Sequence, residues 1–107
     1  FQITSVLSIT HRGTGVALTA YALGLAGVGL TTDINSVVSF VDALNLSAPI
    51  LLAGKFILAF PVSYHTANGI RHLIWDTGRA LTIKKVYTTG YAMLGAAILT
   101  NLVLTLL

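Results

Sequence analysis

The chain has 107 residues, of which 55% are hydrophobic, 8% are charged and none is cysteine. Six basic and three acidic residues give a net charge of +3 and a mean hydropathy of +0.87, whereas a soluble domain carries about 25% charged residues. So little charge argues strongly against a soluble enzyme or a nucleic-acid-binding domain, the high hydrophobicity excludes a disordered chain, and the lack of cysteine removes disulfides, zinc–thiolate sites and iron–sulfur ligation.

What remains is a small all-α integral membrane protein, read as one transmembrane domain over residues 1–107. The chain opens at Phe1 inside an apolar run with no signal or transit peptide in view, so further residues are expected ahead of it. A first span runs from about Ser8 to Leu30 and is markedly apolar from Val16 onward. The connection 31–47 holds Asp33 and Asp42, and within it Ile34, Val37, Val38, Val41 and Leu44 recur at helical spacing. That pattern predicts a short helix lying at the membrane surface. A second span covers about Ala48 to Trp75. A polar connection with Arg79, Lys84 and Lys85 leads to a third, from about Val86 to Leu107. About 20 apolar residues cross a bilayer, so each stretch is long enough.

Charge placement orients the chain. With three spans, Arg12, Arg71, Arg79, Lys84 and Lys85 fall on one side together with Asp76, and Lys55, Asp33 and Asp42 fall toward the other. The basic side should face the cytoplasm of a bacterium or the matrix of a mitochondrion, with the C-terminus opposite. Gly24, Gly27 and Gly29, with the pairs Ala20/Gly24 and Ala92/Ala96, offer small-residue patches where helices approach closely. Those helices belong either to this chain or to a second subunit.

Polar groups inside a span are costly and mark candidate sites. One cluster lies in Ser8-Ile9-Thr10-His11-Arg12-Gly13-Thr14-Gly15, the other in His65-Thr66-Ala67-Asn68-Gly69-Ile70-Arg71-His72-Leu73-Ile74-Trp75-Asp76. At about 100° per residue, His72 and Asp76 fall within about 20° of His65, and Pro61 and Gly69 within about 40°. One helix face thus reads Pro61, His65, Gly69, His72, Asp76, with a glycine that leaves room for a flat macrocycle beside an imidazole. Two readings of His65 stand here: a haem-iron ligand, or a histidine hydrogen-bonded to a neighbouring helix. Arg71 and His72 read either as interfacial anchors or as partners of an acidic group such as a haem propionate. Tyr64, Trp75 and Tyr87 read as interfacial or packing aromatics. Ser8 and Arg12, four residues apart, share a face. They suit a carbonyl-bearing amphipathic ligand such as a quinone, or else a helix cap with an arginine anchored to phospholipid phosphate. Nothing supports hydrolysis or phosphoryl transfer, and Gly13-Thr14-Gly15 matches no nucleotide fingerprint.

The two segments quoted above closely resemble the signatures of the large cytochrome b subunit of succinate dehydrogenase, respiratory complex II, in wording closer to mitochondrial members. The resemblance covers nearly the whole chain. It implies a membrane anchor that carries no complete active site by itself. Such an anchor holds one haem b jointly with a small membrane subunit and docks an iron–sulfur subunit and a flavoprotein subunit. By position it implies Ser8, Ile9 and Arg12 as quinone contacts and His65 as the axial haem ligand. His11, Arg12, Gly69 and His72 would lie about the haem and its propionates. It further implies ubiquinone as substrate and the mitochondrial inner membrane as location. Family members usually carry more residues ahead of the first signature than this chain shows. The alternatives are the corresponding anchor of a fumarate reductase and a haem-free scaffold or proton-path subunit using His65, His72 and Asp76.

Overall fold

A computed structural model describes residues 2–107. Among these residues the chain forms four α-helices and no strand: α1 (Ile3–Thr31), α2 (Ile34–Ala43), α3 (Ala48–Asp76) and α4 (Ile83–Leu106). Three of them, α1, α3 and α4, are long and apolar enough to cross a membrane. At about 1.5 Å per residue, the 29 residues of α1 and α3 and the 24 of α4 exceed the ~30 Å of a hydrocarbon core.

The helix ends follow local chemistry. Thr82 caps α4 by accepting from the Lys85 amide, so Lys84 and Lys85 lie in its first turn rather than ahead of it. Pro49 sits in the first turn of α3, where its missing N–H costs nothing. That helix stops at Gly78, whose φ of 76° lets its amide reach back to the Trp75 carbonyl at 2.8 Å. The short helix expected in the first connection is present as α2, capped by Asp33, which takes the Ser36 amide at 3.1 Å and the Ser36 hydroxyl at 2.8 Å. Both bonds favour the ionised carboxylate and hold Asp33 below its ordinary pKa. The first helix begins at Ile3 rather than at Ser8. Ser8 is therefore an interior helical residue, and the cap position belongs to Gln2, whose side chain makes no capping bond.

The packing is inverted relative to a soluble protein. Thr14, Ser63, Asn68, Arg71, Asn101 and Thr105 are buried, while Leu23, Leu25 and Leu30 on α1 are over 70% exposed. Lipid solvates leucine as well as a protein core does, so the buried positions go to small and hydrogen-bonding side chains. Threonines return their hydroxyls to their own helix, as Thr10 does to the Val6 carbonyl at 2.8 Å and Thr105 to the Asn101 carbonyl at 2.7 Å.

The main contact joins antiparallel α3 and α4, and the N-terminal half of α1 lies against both. A small core of Leu7, Tyr64, Met93 and Ala97 unites them. All three meet at Gly90. A methyl group built there would lie 3.0 Å from Leu7 Cδ1 and 3.4 Å from Arg71 Nη2. Gly24, Gly27 and Gly29 meet nothing within 4 Å, so they do not serve packing among the described helices. Ala92 and Ala96 line a groove between α3 and α4. This arrangement gathers the start of α1, the end of α3 and the start of α4 at one end of the molecule, and with them Arg12, Arg71, Arg79, Lys84 and Lys85.

Candidate functional site: a histidine stack between α1 and α3

The antiparallel crossing of α1 and α3 brings the two polar segments together. The His11 and His65 rings stack at 4.0 Å with planes 5° apart, and His72 stacks on His11 at 4.9 Å. The histidine of the first segment thus sits between the two that share a face of the second, as the helical arithmetic for His65 and His72 allows.

His65 is held through one nitrogen. Its Nδ1 lies 3.1 Å from the His11 carbonyl oxygen and 3.2 Å from Thr14 Oγ1. A carbonyl only accepts, so Nδ1 carries the hydrogen and donates. That fixes the tautomer in which Nε2 holds a free lone pair, and Nε2 takes part in neither bond. The bond to a neighbouring helix is therefore present, and it leaves Nε2 available. Gly15 supports the ring from α1, where a methyl group would come within 3.0 Å of His65 Cε1. Gly69 is open, with nothing within 4 Å of the same construction. The close approach to the imidazole thus comes from Gly15, while Gly69 leaves free space beside it.

Three further residues were not legible as site-builders. Tyr64 is 3% exposed and donates its hydroxyl to the Leu7 carbonyl at 2.9 Å, tying α3 to α1 one residue away from His65. Of the interfacial and packing readings the packing one holds, and Tyr64 is an interhelical tether as well. Thr14 completes the His65 contact. Arg71 is neither a surface anchor nor free: it is 5% exposed and donates to Asn68 Oδ1 at 3.2 Å, Thr89 Oγ1 at 3.1 Å and the Val86 carbonyl at 2.8 Å. Its guanidinium also lies 4.1 Å from the centre of the Trp75 ring. Only pairing across α3 and α4 reveals this role, and spacing along one helix carries no signal of it.

His11 Nδ1, Asn68 Nδ2 and Trp75 Nε1 are buried without a hydrogen-bond partner among the described residues. The tryptophan and asparagine nitrogens are donors without an acceptor, at the basic end of the bundle. Ser8, Ile9 and Arg12 lie one to three residues from His11 on the same helix. Ser8 is half-buried, Ile9 is 61% exposed and Arg12 is exposed, so this stripe faces outward where a ligand can reach it. Asp76, at the end of the histidine face, is exposed.

Among the described residues no group of three or more His, Cys, Asp or Glu converges on a metal. A haem does not need one, because the porphyrin supplies four ligands and the protein only axial groups. The donor set here, one imidazole with a fixed tautomer beside an open glycine, fits an axial position.

Three membrane-length helices, with a half-buried histidine stack between two of them and basic residues gathered at one end, define a helical membrane anchor. The chain matches over residues 1–104 the family described as succinate dehydrogenase/fumarate reductase transmembrane subunit, and it belongs to that family. It is 40% identical over 103 residues to the mitochondrial succinate dehydrogenase cytochrome b560 subunit of Bos taurus, covering 94% of this chain and 61% of that one. It is 41% identical over 111 residues to the mitochondrial succinate dehydrogenase cytochrome B subunit of Schizosaccharomyces pombe, covering 94% and 58%. With the succinate dehydrogenase cytochrome b556 subunit of Rickettsia bellii the identity is 36% over 103 residues, covering 96% and 80%. The chain thus spans about three-fifths of the length of the mammalian relatives it matches.

Proposed function

We propose that this chain is the haem-carrying, quinone-facing membrane anchor of a succinate:ubiquinone oxidoreductase, passing electrons from an iron–sulfur subunit to ubiquinone. The observation that carries the reading is the Nδ1 bond of His65, which leaves Nε2 for iron. Among the described residues His65 is the one histidine so held, so a further imidazole for the haem would come from a small membrane subunit. Held by His65 and such a partner imidazole, a haem would supply one-electron transfer.

The chain's own residues divide the work. The carbonyl of His11 and the hydroxyl of Thr14 orient His65, and Gly15 sets how far its ring swings toward α1. His72, Trp75 and Arg12 lie at the basic end, where they would meet the acidic edge of the macrocycle, and Gly69 leaves its face open. Ser8 donates a hydrogen bond to a quinone carbonyl. Arg12 offsets the negative charge that grows on that oxygen during reduction. Ile9 supplies an apolar wall to the ring. An iron–sulfur subunit carrying the electrons, with its flavoprotein partner, would dock on the basic end. The mitochondrial names of the mammalian and yeast relatives and the three membrane helices support the mitochondrial inner membrane, with the basic end toward the matrix.

Native purification tests the assembly. The account expects co-purification with a second membrane subunit, an iron–sulfur subunit and a flavoprotein, and one b-type haem per complex. A complex with no haem would support the scaffold or proton-path alternative.

A further inference from the structure

The face of α3 and α4 turned away from the histidines carries a groove of about 470 Å³. Apolar and small side chains dominate its lining, among them Val62, Ala67, Ile70, Ala92 and Ala96. On α3, Ile70 and Ile74 lie about 140° and 180° around the helix from His65, so most of the groove faces away from the histidines. A second cleft, on the α3–α4 connection, is lined by Arg79, Lys84 and Lys85 together with Thr82 and Thr88. Thr89 lines both.

Helix geometry makes the two continuous. Lys85, Thr89, Ala92 and Ala96 follow one another at intervals of three or four residues and form one stripe along α4. From Thr89 to Thr100 the stripe runs about 16 Å, close to the ~15 Å depth of one leaflet. No carboxylate lines either part. Arg71, the one cation in the groove, already donates to Asn68, Thr89 and Val86. The free positive charge therefore sits at the mouth, where a membrane helix ends and headgroups begin, and the apolar surface lies below it.

We propose that this groove and cleft form one binding site for an anionic phospholipid. Its phosphate rests against Arg79, Lys84 and Lys85, and an acyl chain lies along Ala92 and Ala96. The lipid headgroup would share the basic end with the soluble subunits placed there, and a lipid supplies anion and hydrocarbon in one molecule, whereas an apolar helix would match the groove alone. The proposal rests on the membrane-spanning fold and is independent of the haem and quinone assignments.

The test uses the intact complex in bilayer nanodiscs of phosphatidylcholine, alone or with phosphatidylglycerol, and counts retained lipid by native mass spectrometry. Wild type is expected to retain phosphatidylglycerol in preference to phosphatidylcholine and to melt at a higher temperature with it. The combined variant R79Q/K84Q/K85Q should hold it on the order of 100-fold more weakly. A96L should lose retention through the groove with every charge in place, and it keeps the test decisive where the charge variant does not assemble. Equal retention of the two lipids by wild type would overturn the proposal. So would full reproduction of the thermal shift by inorganic phosphate, or crosslinking of an A96C side chain to another polypeptide of the complex.

Discussion

The His11 carbonyl oxygen accepts the Nδ1 hydrogen of His65 at 3.1 Å, across two helices separated by 54 positions in sequence. The main chain of α1 thereby sets the tautomer and tilt of an imidazole on α3. An outer partner of this kind ordinarily costs 10- to 100-fold in metal affinity when removed, which gives about that range for its loss here. The carbonyl itself cannot be mutated, but its companion can. Thr14→Val, which removes the second contact, should weaken haem retention within that range in a chelator-free competition with apomyoglobin. Retention equal to wild type would show that Thr14 does not orient the ring.

The two glycines beside His65 make opposite predictions. Gly15→Ala places a methyl group 3.0 Å from the His65 Cε1 position. The ring must shift by a few tenths of an ångström, and the b-type absorption should broaden or move while haem stays bound. Gly69→Ala meets nothing within 4 Å of the chain itself, so the apoprotein should fold as before. Gly69→Leu would then exclude a macrocycle lying on that face. Haem content of purified complexes distinguishes the two sites, and normal content in Gly69→Leu would remove Gly69 from the pocket.

For Ser8 and Arg12 the informative quantity is a ratio of activities. Loss of a hydrogen bond to a charged group costs about 1.5–3 kcal/mol, so Arg12→Ala should slow quinone reduction by roughly 10- to 100-fold. Succinate oxidation with a soluble artificial acceptor should be nearly unaffected. Ser8→Ala should act in the same direction with a smaller loss. Parallel losses in both assays would place Arg12 in assembly rather than at the quinone.

Arg71 predicts a stability effect with a chemical signature. Its removal leaves Asn68 Oδ1 without its donor in a nearly closed site, while the Val86 carbonyl keeps the Thr89 hydroxyl, and a buried unsatisfied group costs about 1–3 kcal/mol. Arg71→Ala should lower the melting temperature of the complex strongly. Arg71→Lys should recover little, because a single ammonium cannot reach Asn68, Thr89 and Val86 in the planar fork that guanidinium provides. Near-complete recovery by lysine would mean that charge alone matters there.

Acidification should act on α2 before the spans. The Ser36 bonds hold the folded-state pKa of Asp33 below its ordinary value. The contribution of this cap is therefore present above the ordinary carboxylate range and is lost as pH falls through the depressed folded value. Amide exchange of Ser36 should accelerate there, and Asp33→Asn should flatten that dependence.

How much of this was legible in sequence follows from which forces act along one helix and which act between helices. The three spans, the surface helix and the gathering of basic residues at one end could be read directly, because hydrophobicity and charge are local. So could the shared face of His65 and His72. The role of Tyr64 as a tether to Leu7 could not, since its partner lies 57 positions away in sequence and tyrosine near a membrane end is usually interfacial. Arg71 misled for the same reason: beside His72 it reads as a positive anchor, and only the turn that folds α4 back onto α3 supplies Thr89 and Val86. The helix of the first span runs back past Ser8 to Ile3, with Leu7 in the core. Gly15 marks the contact with His65.

The central claim is that His65 offers its Nε2 to a haem iron, and the reduced-minus-oxidised difference spectrum of the purified complex tests it most directly. The account predicts a b-type spectrum in wild type that is lost or strongly altered in His65→Ala, with assembly of the purified complex checked separately by subunit staining. An unchanged b-type spectrum and unchanged haem content in His65→Ala would contradict it.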